Sequence, residues 1–271
     1  NNVGLPAGLT TPLPEKAKSY ELGIKSSLGQ RVNVNAAVFQ IDYQNQLTTF
    51  EGIQYFNSSS GAVARTSIAF YRNVDARVRG FELSVAARPT NNLNLGANLA
   101  YSKIESQGGI IPVNDPTRPV NAANPINLGT SPKGQALNQD SPFSANFNGG
   151  YTVPLGSLEG YFRFNLAYKG SNPNFGNFLT AGSFKKTPSY AIVDLFAGIA
   201  GEKGVWDLGF YAKNVFDKEA ELARVTPTNP ASLLQFGSVR AGYDVIRLTP
   251  PREVGIQARF QQRDGMATIG G

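Results

Sequence analysis

Apolar and polar residues alternate one by one in nine stretches between Lys16 and Phe260. A period of two predicts β-strands, each with one apolar and one polar face. The clearest runs from Leu93 to Ser102. Leu93, Leu95, Ala97, Leu99 and Tyr101 share one face, and Asn94, Gly96, Asn98, Ala100 and Ser102 share the other. Ser19–Lys25 sets Tyr20, Leu22 and Ile24 against Glu21, Gly23 and Lys25. The stretch 80–87 sets Phe81, Leu83, Val85 and Ala87 against Glu82, Ser84 and Ala86. The same rule runs through 143–153, 162–169, 190–200, 206–213 and 253–260. Only Arg31–Asn45 breaks it: Val32, Val34 and Val38 have one parity, Phe39, Ile41 and Tyr43 the other. Two readings of that break stay open, a bulge near Ala36–Ala37 or an apolar patch on an otherwise polar wall.

The connections carry a second pattern. Leu28–Arg31 and Gly201–Gly204 are tight links, whereas roughly 51–65, 104–140, 171–187 and 218–248 are long. Tight and long links alternate, so all tight turns fall at one end of a meander and all long loops at the other. Either a partner sheet or lipid could cover the apolar face. A sandwich needs connections that cross its core, while an up-and-down meander needs none. A bacterial outer-membrane barrel combines tight periplasmic turns with long external loops. Aromatic placement agrees with the barrel. Tyr151, Phe162, Trp206 and Phe260 lie by the tight turns or the last strand's end, and Tyr43, Tyr101, Phe143, Tyr168 and Phe210 lie nearer the loops. Membrane interfaces select two such bands. The expected fold class is therefore all-β, an antiparallel up-and-down transmembrane β-barrel.

Composition removes most chemistry. Cysteine and histidine are both absent, which excludes Ser-His-Asp and Cys-His nucleophiles and the commonest transition-metal ligand. No nucleophile elbow, phosphate-binding loop or metalloprotease motif occurs. The expectation is no enzyme, no cofactor and no metal site. No stretch approaches the ~18 consecutive apolar residues of a membrane helix, which leaves a barrel untouched. The net charge is +6, yet the basic residues are scattered rather than gathered into a nucleic-acid footprint. Glu21, Glu82, Asp194, Asp207 and Glu253 fall on polar faces beside Lys25, Arg163, Lys169, Lys213 and Arg259. They read as charge-paired ladders on a wetted inner wall. The long loops are the place to look for ligand contacts. Lys185, Lys186, Arg224 and Arg240 are candidates for an anionic ligand; Phe175 and Phe178, with Tyr71, are candidates for stacking on rings. Each is weighed against an ordinary exposed side chain.

Four segments carry a family resemblance. Ser19-Tyr-Glu-Leu-Gly-Ile-Lys25 resembles the S-Y-E-x-G-x-K strand of TonB-dependent outer-membrane receptors, and Arg79-Gly-Phe-Glu-Leu83 their R-G-x-E-x strand. Asn73 to Arg77 stands where that family often has N-A-G-K-A. Lys213-Asn-Val-Phe-Asp-Lys218 resembles the K-N-x-F-D-K segment, and Pro251-Arg-Glu-Val-Gly255 the P-R-x-x-G lead into the final strand. Their order and spacing are the family's, over nearly the whole sequence.

The resemblance implies the last nine strands of a 22-stranded barrel closed by an N-terminal plug. It implies import of a scarce bulky ligand, such as a ferric siderophore, cobalamin or an oligosaccharide, with energy from TonB. The implied partners are the outer-membrane bilayer with its lipopolysaccharide, the TonB complex acting through a plug not among these residues, and the barrel-insertion machinery. Expected boundaries are a loop remnant over 1–15, barrel strands over 16–260, and a tail or appended segment over 261–271. Trp206, Tyr151, Phe162 and Phe260 are the expected interface and assembly residues. A passive outer-membrane pore and a soluble β-sandwich lectin or adhesin are the alternatives.

Overall fold

The computed structural model describes residues 12–50, 54–65, 70–108, 119–126, 133–134, 136–137, 140–172, 187–201, 205–225 and 245–260. Among the described residues there are thirteen strands: β1 (Lys16–Leu28), β2 (Val32–Phe50), β3 (Gln54–Asn57), β4 (Ala62–Arg65), β5 (Phe70–Thr90), β6 (Leu93–Ser106), β7 (Phe143–Leu155), β8 (Leu158–Lys169), β9 (Tyr190–Ala200), β10 (Trp206–Lys213), β11 (Glu221–Val225), β12 (Val245–Leu248) and β13 (Glu253–Phe260). Nine form one antiparallel sheet in the order β1-β2-β5-β6-β7-β8-β9-β10-β13. Setting aside the hairpins β3–β4 and β11–β12, which sit inside two long connections, this is a simple meander. Tight turns join β1–β2, β5–β6, β7–β8 and β9–β10; Gly29 (φ 62°) and Gly156 (φ 67°) supply left-handed backbone at two of them. The opposite end carries every long connection.

Cross-strand register puts the predicted apolar residues on one continuous face. Leu22, Val38, Phe81, Tyr101 and Phe143 stand in register across five strands. Tyr151, Phe162, Ala197, Phe210 and Ile256 do so across the other end of the sheet. Leu22 and Ile256 are each 76% exposed. Among the described residues no second sheet covers them, unlike the apolar face of a sandwich. Burying a large apolar side chain contributes about 1.5–3 kcal/mol, and a whole domain is stable by only ~5–15 kcal/mol. Leaving that face in water would forgo more than a domain's net stability; a lipid surround removes the conflict. Leu93 to Tyr101 spans roughly 27 Å of strand at about 3.4 Å per residue, or about 20 Å of bilayer at barrel tilt.

The irregular second strand resolves into one of its two readings. Pairing of β1 with β2 is unbroken from Leu28↔Val32 to Lys16↔Gln44, so no bulge exists at Ala36–Ala37. A register shift against β5 instead falls between Tyr43 and Gln46, where Asn45 has φ 60°. Phe39, Ile41 and Tyr43 thus point to the inner wall as an apolar patch. Phe39 lies across Gly80, where any Cβ would collide with its ring. Tyr43 packs against Val74 and Ala76, as do Ile104 and Leu137, which removes it from the outer aromatic band expected near the loops. Phe210 also sits mid-strand, paired with Ile256, rather than at the loop end. Phe81 and Tyr101 stack at 5.9 Å, and Phe143 meets Tyr168 edge-on at 5.8 Å.

Candidate functional site

The inner wall holds a concavity of about 690 Å³ lined by Glu21, Lys25, Asn35, Glu82, Ser84, Asn98 and Asn146, among others. Strand alternation places these groups together, because each is the polar partner of an outward apolar neighbour. Asparagines form a chain there. Asn146 Nδ2 donates across to Asn165 Oδ1 on β8 at 2.8 Å, and Asn148 Nδ2 donates along β7 to Asn146 Oδ1 at 3.1 Å.

The expected ladder of ion pairs is mostly something else. Among the described inner-wall residues, the direct pair is Lys213–Glu253, at 3.4 Å. Glu253 also accepts from the Tyr211 hydroxyl at 2.8 Å. Asp207 accepts from the Tyr161 hydroxyl at 3.3 Å, and Asp194 accepts from the Asn214 backbone N–H at 2.9 Å. Asp207 stands in register with Arg259 yet bonds to Tyr161, so sharing a face, or even a register, with a cation does not fix a carboxylate's partner. Tyr161, passed over in the sequence reading, is 8% exposed. Its ring fills the space above Gly198 and Gly209, and the Arg163 guanidinium lies 4.6 Å from the ring centroid. Two glycines on adjacent strands, with an aromatic on a third, were the available signal.

The 213–218 segment is a clamp. Asn214 (φ 46°, 4% exposed) donates from Nδ2 to the carbonyls of Lys218 and Pro250, at 3.2 and 2.9 Å. Its Oδ1 accepts from the Lys218 N–H at 2.8 Å. Asp217 (φ 50°) accepts from the Arg252 N–H at 2.8 Å. Asn and Asp tolerate this left-handed backbone better than other side chains, so the motif joins the end of β10 to the start of β13.

Of the loop candidates, Lys185, Lys186, Arg240, Phe175 and Phe178 lie outside the described residues. Arg224 is on β11 opposite Ile246, and the Tyr71 side chain is outside the description. At the tight-turn end, Trp206 stands opposite Phe260 and Tyr151 opposite Phe162. Two long connections are tied together. The Phe56 N–H donates to the Pro125 carbonyl at 2.8 Å, beside a bridge between Tyr55 and Ile126. Residues 136–137 return along β6, where the Leu137 N–H donates to the Ile104 carbonyl at 3.1 Å. Among the described residues no group of three or more acidic side chains could hold a metal ion.

A nine-stranded meander with an apolar outer face, a polar concave inner face and all long loops at one end is a segment of a transmembrane β-barrel. The profile "TonB dependent receptor-like, beta-barrel" matches residues 2–215, and the chain belongs to this family of transport receptors. Three solved structures show the fold. The ferric yersiniabactin uptake receptor FyuA from Yersinia pestis superposes with TM-score 0.57 at 16% identity, over 91% of this chain and 30% of FyuA. The ferric-catecholate import receptor Fiu from E. coli gives 0.57 at 18% identity, over 95% of this chain and 30% of Fiu. The copper transporter OprC gives 0.51 at 19% identity, over 92% and 32%. The chain therefore spans about a third of the length of these structures. Among curated proteins, none matches the sequence.

Proposed function

We propose that this chain is the C-terminal barrel portion of an outer-membrane receptor that imports a metal chelate of the siderophore type with energy from TonB. The family match over 2–215, on a sheet with a polar concave wall and an apolar outer face, carries this reading. Receptors for ferric siderophores, with a copper transporter, are among the structures that share the fold. In the complete protein, further strands pair with the two sheet edges, β1 and β13, since unpaired backbone is untenable in lipid. The inner concavity faces the plug. Lys185, Lys186, Arg224 and Arg240 attract an anionic chelate at the loops, and Phe175 and Phe178 stack on its rings. Trp206, Tyr151, Phe162 and Phe260 anchor the tight-turn rim at the membrane interface.

The test is uptake of radio-iron presented as catecholate, hydroxamate or phenolate chelates by cells that carry or lack the gene, each with and without TonB. Uptake of one chelate class that requires both gene and TonB supports the proposal. Gene-dependent passage of small hydrophilic solutes that persists without TonB would make the protein a passive pore. Replacing the four loop cations with Gln should weaken chelate binding without lowering receptor abundance.

A further inference from the structure

Outward-facing charge is gathered at one corner of the sheet, and its order across the strands is regular. Toward the loops from the apolar row Leu22–Val38–Phe81–Tyr101 on β1, β2, β5 and β6 comes Tyr20–Gln40–Arg79–Lys103, and then Lys18–Asp42–Arg77–Glu105. That last row reads plus, minus, plus, minus in strand order. Asp42 pairs with Arg77, and Lys103 pairs with Glu105 at 2.5 Å. Arg79 Nε donates to Gln40 Oε1 at 2.9 Å, and Gln40 Nε2 donates to Asp42 Oδ2 at 2.9 Å. Lys18, at the end of the row, has no ion-pair partner among the described residues. At the loop end of the other strands the outward rows Ala145–Tyr168–Ala191 and Leu195–Ala212–Val254 are apolar. A place at the rim therefore does not by itself require such a belt.

The order of charge is self-complementary. Two barrels in one membrane share an orientation, so a twofold axis relating them runs along the membrane normal. Set between β2 and β5, that axis reverses the strand order of the facing copy. Lys18 then faces the partner's Glu105 and Asp42 faces the partner's Arg77, each contact being made twice. One row down, Tyr20 faces the partner's Lys103 and Gln40 the partner's Arg79: a ring against a cation, and an amide oxygen against a guanidinium. Below that, Val38 meets the partner's Phe81, apolar against apolar. The order plus, minus, minus, plus would have set like charges face to face. We propose that this corner is the interface of a homodimer, in which a second copy of this chain docks outer face to outer face about that axis. Asp42 and Arg77 of the two copies close a ring of four alternating charges, and a network holds where an isolated surface pair does not. A barrel's outer wall is convex, so contact runs along β2 and β5. Lys18 and Lys103 have the reach to cross the wider gap at the flanks, and lipid keeps the flanking columns below the belt. Charge order of this kind selects the partner and fixes its register. The pairing follows from the outward face of the barrel and is independent of which ligand the receptor imports.

The test uses the full receptor containing this chain, co-expressed in two versions that carry different affinity tags. Outer membranes are extracted in a neutral detergent, one tag is captured and the other probed, and native mass spectrometry gives the stoichiometry. The parent should co-purify as a dimer. Asp42→Arg alone and Arg77→Asp alone each set like charges face to face at both central contacts, and self-capture should fall about tenfold or more. Asp42→Arg co-expressed with Arg77→Asp should regain parental capture, because positions 42 and 77 then carry opposite charges across the interface at both contacts. Neither copy in that mixture has an ion pair of its own between 42 and 77, so only contact between copies can produce the recovery. Heat-modifiable gel migration reports folding, and Lys18→Glu with Glu105→Lys gives the same crossed design at the flanks if the central variants do not fold. A parent captured as a monomer, whether bare, with lipid or with another protein, would overturn the proposal. Parental self-capture by a folded single variant, or a crossed mixture that fails to recover, would overturn it as well.

Discussion

β2 and β5 use one alternation for two surroundings. In their tight-turn halves the outward residues are Val34, Val38, Phe81 and Val85, and the inward ones are Asn33, Asn35, Glu82 and Ser84. In their loop-side halves the outward residues are Gln40, Asp42, Arg77 and Arg79, while Phe39, Ile41, Tyr43, Val74 and Ala76 point inward. No bulge separates the halves, since pairing stays in register from Val32 to Tyr43. The polarity therefore inverts at fixed geometry. What changes is the medium on each side: lipid outside and a wet wall inside below, water outside and a packed patch inside above. At 19 and 21 residues, both strands are about twice what a tilted bilayer crossing requires, so the upper halves stand clear of the membrane.

Four substitutions sharpen or break that comparison. Leu99→Arg places a cation on the lipid-facing surface at mid-strand and should cost about 2–4 kcal/mol in micelle-based denaturant unfolding. Asn98→Arg, one residue away on the inner wall, should cost well under half as much. Equal costs would undo the face assignment. Val74→Asp probes the inverted half, because Val74 is inward and 3% exposed; burying an unpaired carboxylate there should cost about 3 kcal/mol. Asn214→Ala removes the bonds to Lys218 and Pro250 and leaves buried polar groups unmatched, for a loss of about 2 kcal/mol. Its signature is early protease access at 218–250, ahead of global unfolding. Arg77→Gln opens a pair whose two side chains are each about a third exposed, 31%, and the unfolding midpoint should fall by less than the equivalent of about 1 kcal/mol.

Much of the fold was legible because side-chain alternation is a local property of each strand. The nine sheet strands, their meander and the separation of tight turns from long loops all follow from it. What it could not reach was cross-strand pairing. Asp207 faces Arg259 in register on the next strand, yet its hydrogen bond goes to the Tyr161 hydroxyl two strands away, 46 residues back in sequence, and no pattern within either strand encodes that. The same gap left Arg31–Asn45 with two readings, since a bulge and an inward apolar patch give identical parity. The hairpins β3–β4 and β11–β12 are only four or five residues per strand, too short for alternation to stand out inside a loop. The segment Lys213–Lys218 was recognisable as a motif, but its role as a clamp needed the positions of Pro250 and Arg252.

The most direct measurement is a spin-label scan along 97–105 of β6 in the reconstituted receptor. This chain contains no cysteine, so it takes single labels without background from its own residues. Contact with oxygen, which concentrates in lipid, should peak at 97, 99 and 101 and drop at 98 and 100. At 103 and 105 the outward labels should lose oxygen contact and gain access to a water-soluble nickel chelate. A scan with no two-residue oscillation, or with oxygen contact continuing through 105, would contradict both the lipid-facing surface and the height at which it ends.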